Sequence, residues 1–382
     1  MSEQDLSIDL HQAQQIIEAH FSSEHRYTIA NLIVLQNQGY SHTPNIKTYV
    51  VDLLKSGSTL EPTSSCFLTI AHPSPDPGTF PQNSLPLVAK LLTLIRTSTA
   101  IPIRESTLDT SLSLIPFHLL LSPPSPFPST SIVSLPVARA SGGLSDKTNV
   151  SIDLLLGAFL GQLHNGVQND WYGLPTLGDT TTPPKDTGYS WQETFTGLLE
   201  DLLERVEKDE SAYGVSLPYA DIRGCLSRAI GSFLFDDVEV PSLVWFTGSE
   251  DDIYITLPSS STAPGTAEPG TIAAILPNVA HALWGDPLLE AFMMGPPDLV
   301  EEGSGPSVAF MEGYISGGGG PVLIFGRQKT KRVWYSVFLA LVVLTKYGPI
   351  ADVEEAWVKE KRKWARQALN DCVAVLRDAP CY

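Results

Sequence analysis

Apolar positions recur at helical spacing over residues 10–22 (LHQAQQIIEAHFS) and again over 85–96, which predicts an amphipathic helix at each. Between and after them lie five tracts rich in β-branched and aromatic residues, 27–35, 48–54, 65–71, 99–103 and 115–121. Turn residues bound each tract, so five strands are expected. A Pro/Ser stretch, 122–131, cannot continue a helix or a central strand and reads as a connection. Beyond residue 148 the period changes. Helical spacing dominates 152–164, 191–208, 219–235, 287–294, 333–347 and 354–376, interrupted by short strand tracts at 240–246, 253–257 and 273–276. The expected organisation is therefore α+β: a β-rich lobe over residues 1–128 and a mainly helical lobe over 129–382.

Composition narrows the function classes. The 24 Lys+Arg against 42 Asp+Glu leave a net charge of 24 − 42 = −18, which argues against a binder of nucleic-acid phosphates. Apolar residues make up 43%, enough for a real core. The most apolar run, 333–344, is broken by Tyr335 and Ser336 and is too short to span a bilayer, so no membrane span is expected. The N-terminus is acidic and lacks the basic and apolar regions of a signal peptide. Cys66, Cys225, Cys372 and Cys381 form no C-x-x-C or metal-ligand spacing and are expected to be reduced thiols of a cytoplasmic protein. No cofactor and no metal site are expected. The oligomeric state is open.

Four motifs in order carry a family resemblance. They are LIRTSTAIPI (94–103), LGAFLGQLH (156–164), VPSLVW (240–245) and ALWGDP (282–287). They match a helix followed by T-x-I-P-V-P, an L-G-x-x-L-A-x-L-H helix, the P-x-L-V-H-G-D-L-x-x-x-N catalytic loop, and the G-D-P that follows a metal-binding aspartate. From about Gly39 to Leu376 the chain resembles the aminoglycoside phosphotransferase and choline/fructosamine kinase-like family, in particular its fungal branch. The resemblance implies a two-lobed protein-kinase-like fold.

The departures bear on chemistry. Aligned on the family, Thr69 stands at the phosphate-binding lysine, and the helix around Val88 and Ala89 offers no glutamate to pair with one. Trp245 stands at the catalytic-loop histidine, Thr247 at the catalytic aspartate and Asp252 at the metal-binding asparagine. Asn278 stands at the second metal aspartate. Phosphoryl transfer needs a lysine and Mg²⁺ to neutralise charge and a carboxylate to take a proton. Threonine is a poor base and asparagine a weak Mg²⁺ ligand. Asp286 persists; in the family it braces the catalytic loop, a structural role.

These substitutions imply a kinase-like fold without phosphoryl transfer, its interlobe cleft reused for a small, largely apolar ligand. A non-redox step of secondary metabolism, such as a cyclisation or isomerisation, fits such a site. Trp245, Phe246 and Trp284 are the expected ligand-contacting aromatics. Trp245 and Phe246 fit a refashioned pocket or a filled one equally well. His281, Asn278, Thr247 and Asp252 are the expected catalytic groups, His281 because imidazole titrates near neutrality. Two alternatives stay open: a non-catalytic pseudokinase scaffold, and a phosphotransferase with relocated residues that uses Asp251 or Asp252 for metal.

Overall fold

The computed structural model describes residues 6–21, 27–35, 39–55, 62, 64–73, 80–178, 188–256, 270–276, 278–294, 305–320, 326–350 and 355–379. The expected turn at 36–38 and Cys381 lie outside them. By packing, the chain groups into two compact units: 1–76, 83–152 and 249–280, and 77–82, 153–248 and 281–382.

The first unit is built on a five-stranded antiparallel sheet of order β1-β2-β3-β5-β4. Its strands are β1 (Tyr27–Val34), β2 (Ile46–Lys55), β3 (Ser64–Ala71), β4 (Thr107–Asp109) and β5 (His118–Leu121). Alternation along β2 and β3 sends Tyr49, Val51, Leu53, Cys66, Leu68 and Ile70 to one face. There Ala13, Ile16 and Ile17 of α1 (Leu10–His20) cover them. A capping box between Asp9 and Gln12 starts that helix. Val50 and Phe67 point to the opposite face, toward Tyr254 and Ala274 of a small sheet of order β6-β8-β9 (Ile132–Ser134, Ile253–Thr256, Ile272–Ile275). Helix α2 (Leu85–Ser98) buries Leu85, Val88, Leu91 and Ile95 at i, i+3, i+6 and i+10. Helix α3 (Leu135–Ala140) follows β6.

The fourth strand differs from expectation. Residues 99–103 form no strand, because Pro102 has no N–H to give a ladder and Ile103 N closes a tight turn on Ile101 O. The short β4 takes the edge place beside β5 instead. Pro116 similarly confines the 115–121 tract to His118–Leu121.

Helix α4 (Asp146–Gly166) runs from the first unit into the second. The second unit holds α5 (Trp191–Lys208), α6 (Glu210–Tyr213), α7 (Tyr219–Gly231), α8 (Ala291–Met294), α9 (Val308–Ser316), α10 (Gly326–Lys346) and α11 (Ala356–Asp378). It also holds a two-stranded pair, β7 (Ser242–Val244) with β10 (Leu283–Gly285). The 287–294 segment is a 3-10 turn at Pro287–Leu289 followed by the short α8, not one helix. From Trp334 to Lys346 every position of α10 is buried. Its end is closed by Gly348 at φ +66° and by the buried Arg362, which donates to the carbonyls of Leu344 and Gly348 at 3.1 and 2.8 Å. Among the described residues no helix is long and apolar enough to cross a membrane.

Four glycines bring α4 and α9 into backbone contact. A Cβ on Gly157 would lie 1.9 Å from Phe310 O, and one on Gly313 would lie 1.9 Å from Leu154 O. Gly161 meets Tyr314 O and Gly317 meets Ala158 O at 2.2 Å in the same way. The i, i+4 spacing on both helices makes the contact reciprocal.

Candidate active site

In the first unit, Thr69 on β3 faces Thr48 on β2 in register, and their hydroxyls share a 3.0 Å hydrogen bond. The side chain of Asn278 donates to Ser41 O at 2.9 Å, and its Oδ1 accepts from Ala280 N at 3.3 Å. The Ser41 hydroxyl donates to Asp252 Oδ1 at 2.5 Å. The other Asp252 oxygen accepts from Ser249 N at 3.0 Å, closing a capping box. Ser41 and Asp252 are fully buried. The two residues at the family's metal-ligand positions are thus held together through one serine, and both Asp252 oxygens and the Asn278 Oδ1 already accept protein hydrogen bonds. Nearby, Asn83 fixes residues 279–280: its N–H reaches Ala280 O at 2.7 Å and its amide reaches Val279 O at 2.8 Å. Glu250 of the acidic turn pairs with Arg139 at 2.6 Å. No three His, Cys, Asp or Glu side chains among the described residues gather to hold a metal ion.

Above this cluster lies a cavity of about 90 Å³. Phe67, Leu85, Val88, Ile103, Leu120 and Ile275 supply apolar walls, and Thr48, Thr69, Ser106, Ser122 and Asn278 supply neutral polar groups. Among the described residues the one charged group in the lining is Arg104. Thr69, Val88 and Asn278, picked out in the sequence as departures from the phosphotransferase pattern, therefore meet at one cavity.

In the second unit, β7 delivers the loop Trp245-Phe246-Thr247. Phe246 has φ +64°, the left-handed region that favours glycine, and it occupies the glycine position of the H-G-D pattern. Full burial of the Phe246 ring against Phe338, with centroids 5.3 Å apart, offsets the roughly 1–2 kcal/mol of strain. Trp245 is buried too, packed on Phe292 at 5.9 Å and on Gly248, where a Cβ would meet the indole at 2.3 Å. Thr247 is fully buried, and its hydroxyl has no hydrogen-bond partner among the described residues. Trp284, buried on β10, exchanges backbone hydrogen bonds with Gly173 at 2.8 and 2.9 Å.

The brace of this loop is Glu290, which the sequence reasoning missed. One carboxylate oxygen accepts from Trp245 N at 2.6 Å and the other from Phe246 N at 3.1 Å. Glu290 also meets His164 Nε2 at 3.1 Å, and His164 Nδ1 meets the Tyr314 hydroxyl at 2.8 Å. All three side chains are buried. Asp286 accepts instead from Leu288 N at 2.9 Å, from the Tyr335 hydroxyl at 2.7 Å and from Lys331 Nζ at 2.6 Å. Burial pulls the Lys331 ammonium down, but Asp286 and Asp237 outweigh it and hold its pKa above the usual lysine value. The contacts of Asp286 run to its own 3-10 turn and to α10, not to the Trp245–Thr247 loop it was expected to brace.

His281 is buried beside Phe80, with ring centroids 5.7 Å apart. Burial, and then the charge of Lys346, lower its pKa from 6.5 to about 3, against a weaker upward pull from the Pro81 carbonyl. The ring is neutral at pH 7. The folded state disfavours the proton that the unfolded chain binds. His281 therefore contributes stability that is full above pH 6.5 and is lost as pH falls toward 3. The melting temperature of the wild type should fall more steeply between pH 6.5 and 4 than that of His281→Asn. Parallel curves would show that His281 does not carry this acid sensitivity.

No protein-family model and no curated protein matches the sequence. Solved structures do match. A candidate aminoglycoside phosphotransferase of Ralstonia eutropha JMP134 superposes with TM-score 0.55 at 11% identity, covering 98% of this chain and 100% of that one. A candidate fructosamine-3-kinase of Haemophilus somnus 129PT gives 0.52 at 14% identity, covering 94% and 96%. With its five-stranded antiparallel sheet and its helical remainder, the chain has the kinase-like fold of the aminoglycoside phosphotransferase and fructosamine kinase type.

Proposed function

We propose that this protein has lost phosphoryl transfer and uses the cavity of its first unit to bind a small, largely apolar metabolite. The observation that carries this reading is the cavity lining: Thr69 and Asn278 face it, and among the described residues neither a lysine nor a carboxylate does. Mg²⁺-nucleotide does not fit these residues. Thr69 has no charge to offer a phosphate, and Asn278 and Asp252 are engaged by Ser41. Neutral polar groups on an apolar wall suit a guest with one or two hydrogen-bonding atoms. Fixing such a guest in one conformation favours a cyclisation or isomerisation over group transfer. Asn278, the one expected catalytic group that lines this cavity, then hydrogen-bonds the guest. A cytoplasmic, secondary-metabolic setting rests on the family resemblance alone. Calorimetric titration with Mg²⁺-ATP should show no saturable binding below about 1 mM, whereas a micromolar dissociation constant would overturn the proposal.

A second reading, a non-catalytic pseudokinase scaffold, is favoured by one specific observation. Trp245 and Phe246 fill their own surroundings, against Phe292 and Phe338, and so leave the second unit's loop closed by its own side chains. Turnover of any bound metabolite excludes it.

A further inference from the structure

Phe67, Val88 and Leu120 are among the apolar walls of the cavity. A second cleft of about 310 Å³ adjoins it; Leu92, Arg104, Ser106 and Leu120 line both. The second cleft carries Lys90 and Arg96 from α2, together with Glu105. Arg96 and the exposed Glu105 pair with each other at 3.5 Å. The Arg104 guanidinium donates to Pro124 O at 3.3 Å and to the Ser125 hydroxyl at 3.0 Å, both neutral acceptors, and no carboxylate among the described residues pairs with it. Two of its five N–H groups are used, and an arginine keeps its charge at neutral pH. A half-buried cation with which no carboxylate among the described residues pairs, where an apolar cavity adjoins a cleft lined by Lys90, Arg96 and Glu105, is unusual in a chain of net charge −18.

We propose that the ligand of this cavity is a small amphipathic carboxylate, its apolar body against Phe67, Val88 and Leu120 and its carboxylate on Arg104. The proposal rests on the apolar-metabolite reading and adds the head group to it. A planar guanidinium offers paired N–H donors that match two carboxylate oxygens, which a neutral amide cannot engage in the same way. The depth of the cavity has room for on the order of six to nine water-sized spheres, which suits a short chain or a single ring.

Hexanoate, hexanamide and hexyl phosphate are the probes, titrated into the full chain by calorimetry. Wild type should bind hexanoate saturably, about tenfold or more tighter than hexanamide. Arg104→Gln, checked for an unchanged unfolding midpoint, should bring the two within about twofold of each other. Equal binding of acid and amide to the wild type overturns the carboxylate assignment and needs no variant. So does hexyl phosphate binding about tenfold tighter than hexanoate. Absence of saturable hexanoate binding below about 10 mM overturns it as well. Failure of the apolar-metabolite reading is separately visible as tight Mg²⁺-ATP binding.

Discussion

Replacing Glu290 by alanine is expected to lower the unfolding free energy by about 2–6 kcal/mol, because two buried backbone donors lose their acceptor and each such loss costs about 1–3 kcal/mol. Against a total stability of about 5–15 kcal/mol this is a large fraction. The loss goes beyond the two N–H groups. Phe246 is held at φ +64° while its own N–H is fixed by Glu290 and its carbonyl accepts from Ala291 N at 2.9 Å. Without the carboxylate, the left-handed residue has less to hold it there. Glu290→Gln retains one acceptor and should lose less. Urea unfolding of the three proteins decides the point. A shift below about 0.5 kcal/mol for the alanine variant would mean that the loop is held by ring packing alone.

Gly313→Ala should be at least as damaging, on the order of 4 kcal/mol or more, for a different reason. The added Cβ would sit 1.9 Å from Leu154 O, a backbone atom at the heart of a helix crossing, and the two helices can relieve the clash only by separating. Separation would also draw Tyr314, the next residue on α9, away from His164, and so loosen the hydrogen bonds that reach Glu290. Gly224 is the matched control. It lies within α7 with nothing within 4 Å of an added Cβ, so Gly224→Ala should be neutral or stabilise by about 0.5–1 kcal/mol. Similar losses for the two variants would show that the α4–α9 crossing yields easily.

Much of this architecture is legible in the chain. The span 191–208 is a helix end to end as its periodicity predicts, because Ser190 caps its start and apolar residues recur on one face. The three long strands of the first unit are equally plain, since each tract is rich in β-branched and aromatic residues and bounded by turn residues. Elements whose cause is not local escape such a reading. Helix α9 is nine residues long with a glycine in its middle, and that glycine makes sense only against α4. The three-residue strands β4, β6 and β10 exist because a neighbouring strand was already in place.

The candidate site divides in the same way. Thr69, Val88 and Asn278 are identifiable by position in a known pattern and lie around one cavity. Ser41 is not, because its partner Asp252 is 211 residues away and nothing near Ser41 signals the bond. Glu290 left a trace, an acidic residue four positions past Asp286, but the bracing role is easily given to the aspartate of the recognised G-D-P. Arg104 is one arginine among many until it is seen to donate only to neutral acceptors, with no carboxylate among the described residues paired with it.

The central claim, that the cavity bounded by Thr69, Val88 and Asn278 holds an apolar metabolite rather than a nucleotide, is tested most directly by exposing crystals to an unbiased metabolite extract. Any bound molecule is then identified by its density and by mass spectrometry. The account predicts a small, largely apolar molecule against Phe67, Val88 and Leu120, with its polar atoms toward Asn278 or Arg104. A nucleotide in that cavity, or a ligand bound instead among the C-terminal helices around Trp334, Tyr335 and Trp364, would contradict it.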